Sequence, residues 1–189
     1  RNAARWDDLV ATLELKLTGV DDPAQRTVEL RGLAEVHESG RRVASDAFEA
    51  YRRALHEAPD DLQTRSDLER LGGPLNRWAE VVTVFEAEAA DASDPTVGRD
   101  LSVRAAELSL QALADDARAT GNYRKALDLA GDDDAVLEPL DAIYTRGGRW
   151  TELVDILERR VTIASDPTLL DALEVRVGEV SCERLHLAR

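Results

Sequence analysis

RWDDLVATLEL from Arg5, RWAEVVTVFEA from Arg77 and RWTELVDILER from Arg149 are three versions of one segment, and their tryptophans, Trp6, Trp78 and Trp150, stand 72 residues apart each time. Sixteen residues after each tryptophan comes an Asp-Pro pair: Asp22-Pro23, Asp94-Pro95 and Asp166-Pro167. LRGLAEV, SVRAAEL and EVRVGEV follow in the same frame and share Glu35, Glu107 and Glu179. Tyr51/Tyr123, Ala47/Ala119, Ala54/Ala126 and Leu55/Leu127 keep the spacing. A fixed period held without a gap marks a tandem array. After four leading residues the 189-residue chain divides into units 5–76 and 77–148 and a partial unit 149–189. Residues 1–189 are expected to form one array, and the start at Arg1 without Met points to a piece of a longer protein.

Inside each unit the apolar period is helical. Leu9, Val10, Leu13 and Leu17 follow Trp6 at three, four, seven and eleven residues, one stripe on a helix. Trp78, Val81, Val82, Phe85 and Ala89 repeat it, as do Trp150, Leu153, Val154, Leu157 and Val161. Punctuation sets off four helical segments per unit. The expected spans are 6–18, 24–39, 44–58 and 61–71; then 78–90, 96–114, 118–130 and 134–146; then 150–164 and 168–187. Asp22 before Pro23 is an N-cap followed by proline at the first helical position, where the missing N–H costs nothing. Gly72-Gly73-Pro74 and Gly147-Gly148 are stops. Pro139 falls inside the eighth segment and implies a kink there or a later start.

Composition excludes several classes. There are 38 Asp+Glu against 24 Lys+Arg, a net charge of −14, so no basic face exists to bind phosphates and no nucleic acid is expected. One cysteine cannot form an internal disulfide. No apolar run approaches the roughly 18 residues that span a bilayer, so no membrane partner is expected either. No leader segment is visible, and a cytoplasmic location is the expectation. Arg outnumbers Lys by 22 to 2, the bias of a GC-rich, bacterial genome.

Four helices in 72 residues are two helical hairpins. Ala47, Tyr51, Ala54 and Pro59 place a small residue, an aromatic four on, a small residue three further and a proline five beyond. Ala119, Tyr123 and Ala126 repeat this, with Gly131 in the proline's place. This pattern resembles the second helix of a tetratricopeptide repeat. Ala34 and Leu68 stand where the first helix of the family carries a small or apolar residue. The alternate hairpins, whose second helix opens on Arg-Trp, depart from that consensus. The resemblance implies an all-α fold, a right-handed α-solenoid of about five antiparallel hairpins. It also implies that residues of each first helix face a concave groove, where the family binds peptides. Counted from Ala47 and Ala119, the candidate partner-binding residues are Ser66, Arg70, Arg104, Gln111, Glu138 and Arg176. The family's basic carboxylate clamp finds no counterpart, since Lys16 and Lys125 are the only lysines.

Other conspicuous residues read as structural. Each tryptophan is expected to head its apolar stripe and pack on the preceding hairpin, because a packed repeat reuses its core residues. Tyr51 and Tyr123 are expected to fill the space between hairpins. Arg104–Glu107 and Arg176–Glu179 have the spacing of weak ion pairs on one helix. The acidic runs at Asp7-Asp8, Asp21-Asp22, Asp60-Asp61, Asp115-Asp116 and Asp132-Asp133-Asp134 lack the spacing of a calcium loop and stand at helix starts, where carboxylates cap. His37, His56 and His186 are scattered, and Cys182 reads as a small buried residue. No metal, cofactor or catalytic group is therefore expected, and the chain reads as non-enzymatic.

The function these features imply is a protein-binding scaffold module that holds a peptide or protein along a concave groove, its acidity favouring a basic partner. The alternatives are a structural spacer, or a recruiting or regulatory region of a larger enzyme, such as a kinase, lying outside these residues. The third unit stops after two helices without a polar cap. Its last stripe, Leu173, Val177, Val180 and Leu185, is accordingly expected to be exposed or to pair end to end with another copy.

Overall fold

A computed structural model describes residues 2–184. Those residues form ten α-helices and no strand. The helices are α1 Asn2–Leu17, α2 Pro23–Glu35, α3 Ala44–Glu57, α4 Leu62–Gly72, α5 Trp78–Asp91, α6 Pro95–Gln111, α7 Asp116–Ala130, α8 Asp134–Arg146, α9 Trp150–Ile163 and α10 Pro167–Glu179. Val36–Arg41 continues α2 as a π-helical turn, and Val180–Arg184 does the same for α10. The chain falls into two compact units, Arg1–Val97 and Gly98–Arg189, so the division lies within α6. In the first unit α1 packs on α2, α2 on α3, α3 on α4 and α4 on α5; in the second, α7 on α8, α8 on α9 and α9 on α10. The ten expected helices are all present, which makes this an all-α fold of the helical-repeat type. No helix among the described residues is long and apolar enough to cross a membrane.

One burial pattern recurs in α3, α5, α7 and α9. In α3 the buried positions are Ala47, Phe48, Ala50, Tyr51, Ala54 and Leu55; in α5 they are Val81, Val82, Val84, Phe85, Glu88 and Ala89. In α7 they are Ala119, Thr120, Asn122, Tyr123, Ala126 and Leu127. In α9, Leu153, Ile156, Leu157 and Arg160 fill the corresponding slots. The Arg-Trp hairpins thus share the packing register of the others. Their difference is a charge, Glu88 or Arg160, in the slot where α3 and α7 carry Ala54 and Ala126. Tyr51 and Tyr123 lie in the core as expected, each 3% exposed, and burial raises both hydroxyls to about 12.

Aspartates start the helices. Asp22, Asp61, Asp94, Asp115, Asp133 and Asp166 each accept from a backbone N–H two or three residues on, at 2.8–3.2 Å. Helix ends use two alternating devices. After α4 and α8, Arg77 N–H donates to the Gly72 carbonyl at 2.8 Å and Arg149 N–H to the Tyr144 carbonyl at 2.9 Å. Asn76 and Gly148 turn those corners at φ of 55° and 65°, as the helix-ending left-handed residue does. After α2 and α6 the loop is wider. Val43 N–H reaches the His37 carbonyl and Asp115 N–H the Ser109 carbonyl, both at 2.9 Å, with Arg42 and Ala114 at φ of 59° and 52°. A left-handed alanine is strained by about 1–2 kcal/mol, and glycine there loses about 0.5–1 kcal/mol to its freer unfolded chain. Ala114→Gly is expected to stabilise by up to about 1 kcal/mol net, seen as a higher urea midpoint with unchanged slope.

His37 stands at the start of the first wide loop, 7% exposed, with Arg41 Nη1 donating to its Nδ1 at 3.2 Å. Burial, reinforced by Arg41 and opposed by Asp46 and Glu14, holds its pKa below the ordinary value of 6.5. The folded chain therefore binds fewer protons here than the unfolded chain, and stability is lost as pH falls below 6.5. His37→Gln should flatten the decline in urea midpoint between about pH 7 and pH 5.

Several expectations are corrected. The tryptophans are half-buried and sit on helix ends. Trp78 covers Gly72 and Gly73 of its own hairpin's first helix, and Trp150 lies beside Gly148. A Cβ on Gly72 would meet Val81 at 2.8 Å, which is why glycine occupies that contact. Trp6 packs instead on Gly40 of the following turn. Cys182 is exposed, not buried. Pro139 does not delay α8, which starts at Asp134 and runs through it. Leu173 and Val180 of the terminal stripe are 4% and 9% exposed and belong to the core of the second unit, with Val177 packed partly against them. That stripe packs inward because α9 already supplies its partner surface. Leu185 and His186 lie outside the described residues.

Candidate functional site

The second unit carries a polar cleft of about 430 Å³, bounded by α8 and α10 and floored by α9. Its lining includes Glu138, Asp141, Ala142, Thr145, Arg160 and Arg176. Asp141 is its hub, 3% exposed. Arg160 Nη1 donates to Asp141 Oδ2 at 2.9 Å, while Arg176 donates Nη1 to Oδ2 at 2.7 Å and Nη2 to Oδ1 at 2.6 Å. Thr145 Oγ1 donates to Oδ1 at 3.2 Å and accepts from Arg176 Nη2 at 2.9 Å. Arg160, 7% exposed, is also held by Asp134 through Nε at 2.6 Å and Nη2 at 3.2 Å. Burial works against its charge, but Asp134 and Asp141 outweigh that and raise its pKa. Buried charges persist where each is paired and hydrogen-bonded, as here.

Tyr144 lies on α8 next to Thr145. It is fully buried, and its hydroxyl has no hydrogen-bond partner among the described residues. The Arg149 guanidinium lies 4.6 Å from its ring centroid, within cation–π reach. Tyr144→Phe removes an unsatisfied oxygen and keeps the ring. The expected effect is neutral to about 1 kcal/mol stabilising, measured by urea unfolding.

The first unit has a less polar cleft of about 540 Å³ along α2, lined by Ala24, Thr27, Val28, Arg31, Gly32 and Glu35 and reaching Ala58 and Asp61. Val28 is 67% exposed on its floor. Both clefts therefore lie along first helices, α2 in one unit, α8 and α10 in the other.

Of the six candidate residues, Glu138 and Arg176 share the second unit's cleft. Arg176 turns to Asp141 rather than to Glu179. Ser66 is exposed on α4. Arg70, also on α4, is clasped by Glu38 at 2.5 and 2.9 Å and by Asp67 at 3.0 Å, which raises its pKa. Arg104 pairs with Glu107 at 2.5 Å as its spacing implied, and Gln111 is exposed at the end of α6. Sequence reasoning missed Asp141, Thr145 and Arg160. The available signal was Arg160, a charge in the small-residue slot of a second helix. Groups of His, Cys, Asp and Glu able to hold a metal ion are absent among the described residues.

These helices, hairpins and recurrent burial define a helical repeat protein. The repeats are tetratricopeptide-like: the tetratricopeptide repeat family model matches residues 137–170, from α8 through α9 into α10. The match falls on a hairpin whose second helix opens on Arg-Trp, the kind whose sequence departs from the consensus. In packing the two kinds of hairpin agree: Leu153, Leu157 and Arg160 are buried in the places of Ala47, Tyr51 and Ala54. No curated protein matches the sequence.

Proposed function

We propose that the chain is a non-catalytic protein-interaction module that grips an extended peptide segment against its first helices. The tetratricopeptide family suggests protein–protein interaction, and one observation carries the reading further: each unit keeps an open cleft along its first helices. In the second unit Glu138 is exposed and has no ion-pair partner among the described residues, so it would meet a basic side chain of the partner. Arg176 would offer the part of its guanidinium edge not engaged by Asp141. In the first unit the stretch Ala24, Val28, Gly32 would take apolar side chains, with Ser66 and Arg70 as further contacts. Arg104 and Gln111 would extend the contact along α6. The array would then act as a scaffold, favouring a basic partner and showing no affinity for nucleic acid. A cytoplasmic location fits this role.

Selection of peptides from a random library on the immobilised protein tests the proposal. Recovered peptides should lose tenfold or more affinity on Ala142→Trp, which plugs the second cleft from an exposed position, or on Glu138→Arg. Equal binding to both variants, or recovery of no peptide, would favour a spacer role instead.

A further inference from the structure

In the first unit two arginines from different helices hold one carboxylate. Arg52 of α3 donates Nε to Glu49 at 2.9 Å, and Arg77, the residue before α5, donates Nη2 to it at 2.6 Å. Arg77 is also tied to Glu80 through Nε and Nη2, both at 2.6 Å, and lies 4.1 Å from the Phe48 ring centroid. Burial works against the charge of Glu49, yet Arg77 and Arg52 hold its carboxyl below the ordinary range. Glu49 and Arg52 keep 41% and 47% of their side-chain surface exposed with a complete 72-residue unit following theirs. This position therefore stays open to solvent inside the array and does not owe its openness to a chain end.

In the 72-residue frame Glu49, Arg52, Arg77 and Glu80 become Gly121, Arg124, Arg149 and Glu152. Both arginines are kept, and so is the pair next to them: Arg149 donates to Glu152 at 3.0 and 2.7 Å. Only the shared carboxylate is gone. Arg124 and Arg149 are exposed, and Arg124 has no ion pair among the described residues. Their guanidiniums gather on one ring, 5.7 and 4.6 Å from the centroid of Tyr144, within cation–π reach. Arg149 chiefly, and Arg124 with it, holds the Glu152 carboxyl below its ordinary range, so both arginines act on one place. Glycine inside a helix weakens it. Packing does not require one at position 121, where a Cβ would meet nothing within 4 Å.

We propose that Gly121, Arg124 and Arg149 form a site for a carboxylate brought by a partner protein, a glutamate or aspartate side chain filling the place that Glu49 fills from within. The occupant's chemistry is read from the first unit, where the same two arginines take a glutamate. Ring contacts restrain the guanidiniums beforehand, so less side-chain freedom is lost on binding than two unrestrained arginines would lose. The chain's net charge of −14 repels an acidic segment at a distance, so this contact supplies specificity at short range rather than speed of encounter. The site belongs to α7 and α9, not to the clefts along the first helices, and it stands independently of them.

The probe is an end-blocked Gly-Glu-Glu-Glu-Gly peptide, titrated into the isotope-labelled full chain while the arginine Nε–Hε cross-peaks are followed by nuclear magnetic resonance. Those of Arg124 and Arg149 should shift saturably, with Arg52 and Arg77 unmoved. Gly121→Glu, which supplies the carboxylate from within, should weaken binding tenfold or more, and Arg124→Gln should do the same without adding a carboxylate. Glu49→Gly should open a second site, so that Arg52 and Arg77 shift as well. Circular dichroism should show every variant as helical as the parent chain. No saturable shift at Arg124 and Arg149, or undiminished binding to the Gly121→Glu chain, overturns the proposal. So does inorganic phosphate moving the same cross-peaks at lower concentration than the peptide, since the ligand would then be a free anion.

Discussion

Asp141→Ala is expected to cost about 3–5 kcal/mol, the loss seen when one partner is removed from a buried ion pair. The carboxylate accepts from Arg160, Arg176 and Thr145. Its removal leaves the buried guanidinium of Arg160 with Asp134 alone. Arg176 can swing toward water, being 39% exposed at its side chain, but Arg160 at 8% cannot. Most of the cost therefore lies in stranding Arg160. The double variant Asp141→Ala/Arg160→Ala should lose clearly less than the sum of the two single losses, because each single change creates the other's penalty. Urea unfolding followed at Trp150, with Trp6 and Trp78 replaced by Phe, confines the reading to the second unit. A loss under about 1 kcal/mol would mean that the three charges are hydrated rather than buried together.

Tyr51→Ala should destabilise the first unit by a similar amount, about 3–5 kcal/mol, through lost burial and the cavity left behind. Tyr51 is 3% exposed among Phe48, Ala54 and Leu55, which are fully buried. Tyr51→Phe separates packing from the hydroxyl and should retain most of the stability. Trp78 fluorescence, with Trp6 and Trp150 replaced by Phe, reports the transition. If Tyr51→Ala and Tyr51→Phe cost the same, the ring does not fill the core and the repeat register proposed from its 72-residue spacing is wrong.

The fold was readable because helix and hairpin are written redundantly. Proline and aspartate mark the starts, and the apolar stripes recur with the period, so each element is specified several times over. Of the six residues chosen by position within a first helix, Glu138 and Arg176 line the second unit's cleft, while Ser66, Arg70, Arg104 and Gln111 line neither cleft described. The hub was not readable. Asp141 looks like any exposed helical aspartate until Arg160, nineteen residues on, and Arg176, on the next first helix, are brought to it. No local pattern encodes that meeting. The terminal stripe was misjudged for a related reason: periodicity identifies an apolar face but not which of two neighbours covers it. Leu173 turned toward α9 and lies in the core of the second unit.

The two kinds of corner that alternate along the chain, narrow after α4 and α8 and wide after α2 and α6, set the grain size at which this protein can be lengthened or shortened. A single hairpin is a complete packing element, yet cutting one out would set two like corners in succession and shift every later helix onto the wrong connector. Removing or duplicating 72 residues keeps wide and narrow in turn. The heritable module is therefore the pair of hairpins, and engineered arrays built from this chain should be cut in that unit.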